Sequence, residues 1–123
     1  MNIEEYRDYC LLKPGVTEGF PFDHKVLVFK VMGKMFALTD VDEFDGVNLK
    51  CEPQRAIELR ENNPGIVPGF HMNKTNWNTV STDGSVDDRL FYELIDHSYA
   101  LVVQSLSKKL IEELRQLGYE PTQ

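Results

Sequence analysis

Two cysteines and three histidines are the side chains best suited to chemistry in this 123-residue chain. Cys10 or Cys51 with His71 would make a nucleophile and a base, and Asp96-His97 would make an acid-base pair. Nothing in the sequence brings the first set together, and neighbours on one helix point in different directions. Metal binding by His24, His71, His97 and the cysteines lacks paired ligand spacing. The acidic run from Asp40 to Gly46 invites a calcium loop, which needs ligands at alternate positions and Gly at the sixth. Counted from Asp40, the fifth position is Phe44 and the sixth is Asp45, so the frame fails and a solvated strand connection is expected. The expectation is a non-catalytic protein with no metal and no cofactor.

A second chemistry is binding. Pro68 to Val80 holds the only Trp, one His and a set of amide and basic side chains. Trp77 and His71 could stack on bases or sugars, with Asn73, Lys74 and Asn78 reaching phosphates or base edges. The plainer alternative makes Trp77 a core aromatic, has His71 hydrogen-bond the backbone across a hairpin, and gives Asn73 to the turn. Net charge is −7, which opposes nonspecific attraction to a polyanion. The acid is concentrated: residues 40–45 carry −4 (Asp40, Asp42, Glu43, Asp45) and residues 83–96 also carry −4. Two segments stand out as positive, residues 24–38 through Lys25, Lys30 and Lys34, and residues 69–82 through Lys74. Both are candidate hairpins. DNA is therefore one candidate partner, and a protein segment or small ligand on an open sheet face is the other. An exposed aromatic patch on that face would favour the second.

These groups must be positioned by elements that the residue pattern predicts. Asn2 with Glu5 has capping-box spacing, and Ile3, Tyr6 and Cys10 repeat on one helical face until Pro14-Gly15. Thr17 to Asp23 predicts an edge strand with Phe20 and Phe22 on one side, because Pro21 lacks a ladder donor. Val26–Val31 alternates, turns at Gly33-Lys34 and returns through Met35–Leu38. Val47, Leu49 and Cys51 give another strand, and Pro53 opens a helix that ends at Asn62–Gly65. The second hairpin is expected from Ile66 to Met72 and Trp77 to Thr82, with its turn around Asn73–Asn76. Trp77, Thr79 and Ser81 would share one face, and Asn78 and Val80 the other. Ser85, followed by Asp87 and Asp88, reads as a helix start. The long helix presents Leu90, Leu94 and Leu101 beside Phe91, Ile95, Val102 and Leu106. Ser107 opens a last helix with Leu110, Ile111, Leu114 and Leu117 inward, closed by Gly118.

The fold class that follows is α+β, two-layered, with an antiparallel sheet of five to six strands and helices on one face. A chain of 123 residues fits a single domain spanning 1–123. It contains no run near the ~20 apolar residues of a membrane span. Asn2 to Asp8 offers neither the basic start nor the apolar core of a secretory signal, so the expected location is cytoplasmic, with no membrane partner. Cys10 and Cys51 are expected as free, buried thiols.

Several motifs together resemble the MmcQ/YjbR family of small bacterial proteins. They are Pro14-Gly15-Val16-Thr17-Glu18 with Phe20-Pro21-Phe22, Lys50-Cys51-Glu52-Pro53, Gly69 to Lys74 with Trp77-Asn78-Thr79-Val80, Glu93 to Tyr99, and Ser105 to Lys109. The resemblance covers essentially the whole chain. It implies a fold of the secretion-chaperone-like or CyaY-like kind. It also implies a DNA-binding label resting on a double-wing arrangement of two hairpins. If that label holds, the residues of the two hairpins picked out above, Lys25, Lys30, Lys34, His71, Asn73, Lys74, Trp77 and Asn78, are the candidate contacts. Glu52 stands where Asp is usual and Ser107 where Pro often opens the last helix.

Overall fold

The computed structural model describes residues 1–121, in the order α1 (Ile3–Leu11), β1 (Val16–Gly19), β2 (Val26–Val31), β3 (Lys34–Asp40), β4 (Gly46–Lys50), α2 (Pro53–Asn62), β5 (Ile66–Pro68), β6 (Trp77–Ser81), α3 (Asp88–Gln104) and α4 (Lys108–Gln116). The six strands form one antiparallel sheet in the order β1-β2-β3-β4-β6-β5. The helices pack on one face, as the sequence predicts for an α+β chain.

Strand alternation decides what each face carries. Leu27, Phe29, Val31, Val47, Leu49, Val80 and Ile66 point to the helices and join one core with Phe91, Leu94, Ile95, Tyr99, Val102 and Val103 of α3. Each large side chain there stabilises the fold by roughly 1.5–3 kcal/mol on full burial. The register between β2 and β3 shifts after Phe29, which pairs Ala37, whereas Lys30 pairs Met35. Phe36 is the extra residue of this bulge and turns inward beside Ala37, its ring 5.5 Å from Tyr99. Ser98 on α3 donates to the Phe36 carbonyl (2.6 Å) and accepts from the Lys50 amide (2.9 Å), stitching helix to sheet where the ladder is broken.

Caps fix the helix starts. The Asn2/Glu5 capping box is present, Glu52 accepts from the Gln54 and Arg55 amides, and Ser107 accepts from Leu110. The third helix starts later than expected: Asp87, not Ser85, is its N-cap. Val86 and Phe91 are both buried in the core, the spacing of a hydrophobic staple, and this fixes the entry point. Ser85 instead donates its amide to Asp83 Oδ1 (2.9 Å).

Three other expectations are corrected. The first strand stops at Gly19, and Phe20, Pro21 and Phe22 leave the sheet exposed. Asp23 Oδ1 then accepts from the Lys25 and Val26 amides and redirects the chain into β2. The second hairpin loses its ladder after Pro68 pairs Asn78, so residues 70–76 form a loop rather than strand and turn. Leu117 is exposed at the α4 C-cap, because Gly118 at φ +104° turns the chain and sends Tyr119 back over Tyr99. Cys10 and Cys51 are free and buried.

Candidate functional site

The face away from the helices is not polar. Val28, Leu38 and Trp77 form a small second cluster there, bordered by Val26, Met35 and Met72. Trp77, only 9% exposed, packs in this cluster as an aromatic of the open face. The loop after β5 covers it, and that requires Gly69. A Cβ at this position would stand 2.7 Å from Trp77 Cβ, and the Gly69 amide donates to the Trp77 carbonyl.

Side chains hold the loop as a neighbouring strand would. Thr79 Oγ1 accepts from the Phe70 amide (2.9 Å) and donates to Asn48 Oδ1 (2.5 Å), while Asn48 Nδ2 donates to the Phe70 carbonyl (3.0 Å). Lys74 Nζ donates to the Gly69 carbonyl (2.9 Å), and Asn73 Oδ1 accepts from the Thr75 amide. From α2, Arg60 donates to Asn78 Oδ1 (2.7 Å) and to the Lys74 carbonyl. Asn78 is buried and its amide donates to the Ala56 carbonyl. His71 stands apart. It is exposed in the left-handed region at φ +60°, its ring 4.3 Å from Phe70.

Beside the cluster runs a groove of about 980 Å³. Val26, Met35, Leu38, Asn48, Thr79 and Val67 lie along its floor, and Phe22, Phe70, His71 and Met72 stand at its margins. Phe22 is 64% exposed and Phe70 67% exposed. Five carboxylates line one side at the strand ends, those of Asp23, Asp40, Glu43, Asp45 and Asp83, and among the described residues no Lys or Arg lines the groove. Hydrogen bonds from the Val26 and Lys25 amides hold the Asp23 carboxyl below its usual range, and bonds from Ser85 do the same for Asp83. Asp40 Oδ1 caps the turn through the Asp42 and Glu43 amides. Among the described residues none of the five is in an ion pair.

The lysines singled out in the sequence do not converge. Lys25 precedes the Val26–Asp40 rung and Lys34 forms the Val31 rung, the two ends of one hairpin and roughly 20 Å apart. Lys34 Nζ reaches to the helix side, where it donates to the Ser105 carbonyl (3.2 Å). Lys30 lies on the open face at the Thr17–Pro21 edge. Lys74, Trp77 and Asn78 are occupied in the contacts just described, whereas Asn73 and His71 keep exposed side chains.

The groups considered for catalysis are also apart. Cys10 lies in the helix-side core, where burial pushes its thiol up to about 12, and His71 lies across the sheet. Asp96 takes the Tyr9 hydroxyl (2.7 Å) and Lys13 (2.5 Å), while His97 Nε2 accepts from the Glu52 amide (3.1 Å). No group of three His, Cys, Asp or Glu side chains among the described residues could hold a metal. No helix among them is long and apolar enough to cross a membrane.

The acidic side and the two exposed Phe are the parts that the sequence alone does not assemble into a site. A signal was present: β2 and β3 are apolar on both faces, which is unusual for strands with one solvated side.

Comparison with known proteins agrees with this architecture. The YjbR family model matches residues 11–101. The chain is 36% identical over 118 residues to the uncharacterised protein YjbR of Escherichia coli K12, covering 95% of this chain and all of that one. It is 38% identical over 109 residues to YbdF of Escherichia coli O157:H7, covering 86% and 88% of the two chains. Among solved structures, Deinococcus radiodurans protein DR2400, with a DUF419 domain, superposes with a TM-score of 0.86 at 40% identity over 93% of this chain and 88% of that one. A Pseudomonas syringae protein superposes with a TM-score of 0.71 at 28% identity over 82% and 98%. The overall architecture is thus shared with these structures, and the chain belongs to the YjbR family.

Proposed function

We propose that this protein is a non-catalytic binding module that takes a ligand on the open face of its sheet. The observation that carries this reading is the groove itself, of about 980 Å³, with Val26, Met35, Leu38 and Val67 among the residues of its floor and exposed Phe22 and Phe70 at its margins. Exposed aromatics around a concave apolar surface are a common mark of a binding site. The loop that forms one wall is tied down at both the amide and the carbonyl of Phe70, so the wall is pre-organised.

DNA binding through the two hairpins has in its favour the absence of acid from residues 24–38. Against it stand the five carboxylates of the groove, the separation of Lys25 from Lys34, and the internal bonds of Lys34 and Lys74. The groove therefore supports the ligand reading over the nucleic-acid one. Titration with the neutral apolar dye Nile red tests it. Wild type is expected to enhance the dye's emission, and the double variant Phe22→Asp/Phe70→Asp to weaken binding more than about 10-fold with its melting temperature little changed. Unchanged dye binding in that variant, or displacement of the dye by duplex DNA with a steep salt dependence, sinks the reading.

A further inference from the structure

Resting on that reading, we propose that the groove's occupant is a cationic amphipathic helix of a partner protein, laid across the strands with its apolar stripe on Val26, Leu38 and Val67 and its Lys or Arg residues facing the carboxylates around Glu43 and Asp45. Three observations converge on this class.

The first is hydrogen bonding. A sheet face offers side chains only, because the strand amides and carbonyls are spent in the ladder, so an extended segment lying on it would have to leave its own backbone groups to water. The edges, where an added strand could pair, are short: β1 has four residues, and β5 has three and ends in Pro68. A helix brings its backbone already satisfied. The second is length. The groove crosses β2, β3, β4, β6 and β5, four strand spacings of about 4.8 Å or roughly 19 Å. That matches a helix of about 13 residues at 1.5 Å per residue. The third is charge. The lining carries five acids and no Lys or Arg. Glu43 and Asp45 are exposed and spend no side-chain oxygen on a hydrogen bond or ion pair to a described residue, so their field is available to a cationic side chain.

The test uses the full chain, Nile red displacement and circular dichroism. The probes are a synthetic peptide of about 14 residues with Leu at helical spacing and Lys elsewhere, its Leu/Glu counterpart, and dodecylamine. The Leu/Lys peptide is expected to displace the dye, gain helix on binding and bind at least about 10-fold more tightly than the Leu/Glu peptide. Glu43→Gln/Asp45→Asn should weaken it about 3- to 10-fold and flatten its salt dependence, as expected for two partly exposed pairs. Glu112→Gln/Glu113→Gln, exposed on α4, should leave it unchanged. Equal binding of the Leu/Glu peptide, or an equal loss from the α4 variant, overturns the charge assignment while leaving the groove as a binding site. Displacement by dodecylamine alone, a bound peptide without added helix, or a protein dimer that itself excludes the dye overturns the helical occupant. Failure of Nile red to bind wild type removes the underlying reading instead.

Discussion

The two faces of this sheet are built from the same strands and put to different uses. On the helix side every large apolar residue of β2, β3 and β4 is covered, and several polar atoms that interrupt the core are answered by side chains: Ser98 for Phe36, Asn78 for Ala56, and the Tyr99 hydroxyl for the Pro14 carbonyl; the buried Tyr6 hydroxyl has no partner among the described residues. On the other side Val28, Leu38 and Trp77 are covered only by a loop, and Val67, Phe70 and Phe22 remain open. The difference teaches that apolar content alone does not tell core from binding surface. What separates them is whether a second element arrives to complete the packing.

The largest test of that contrast is stability. Phe29→Ala on the covered face should cost about 3–5 kcal/mol in urea unfolding, because a buried ring leaves a cavity. Phe22→Ala on the open side should cost less than about 0.5 kcal/mol. A comparable loss from Phe22→Ala would erase the distinction between the faces.

Hydroxyl deletions sharpen it. Ser98→Ala leaves the buried Phe36 carbonyl without the Ser98 hydroxyl and should cost about 1–3 kcal/mol. Thr79→Val removes the hydroxyl that holds the Phe70 amide, but where water can replace it, so the cost should be nearer 0.5–1 kcal/mol. Its main expected consequence is faster hydrogen exchange at Phe70 and weaker Nile red binding. Equal losses for the two would mean that the loop wall is as integral as the core.

The smallest effect concerns pH. Burial, first, and the nearby Arg55 hold His97 below its ordinary 6.5, and its Nε2 must be unprotonated to accept from Glu52. A depressed folded-state value means that the unfolded chain binds the proton more readily. The contribution is present above the unfolded value and is lost as pH falls through the folded one. Melting temperature should therefore decline from about pH 7 to 5, and His97→Gln should flatten part of that slope. An unaltered slope would show that His97 does not couple α3 to the start of α2 in this way.

Much of the fold was legible because it depends on local rules. The alternation in Val26–Val31, the Asn2/Glu5 box, the Ser107 cap and the apolar stripe of α3 each specify their element without help from afar. The misread places depend on tertiary contact. Ser85 has every property of a cap, but Val86 must reach the core, so the helix begins after it. Phe20 and Phe22 look like one face of a strand, yet the ladder ends at Gly19 and Asp23 redirects the chain into β2. The site was less legible than the fold. The acidic runs at 40–45 and 83–96 were visible separately, but only the β4–β6 pairing brings Asp45 and Asp83 to one side of a groove. Likewise Lys74 and Asn78 were visible as polar residues, while their commitment to Gly69 and Arg60 needs the folded loop.

The bulge at Phe36 acts as a parity switch. Strand side chains alternate, so a single extra residue reverses the side to which everything before it points. Because of it Met35 faces the open side and Lys34 the helix side, where its ammonium meets the carbonyl end of α3. Flattening the bulge, so that Phe36 pairs Lys30 in a regular ladder, would send Met35 inward and turn Lys34 outward onto the face that now has the groove. The charge of a binding surface is here set by how the residues between Gly33 and Ala37 are paired, as much as by which residues they are.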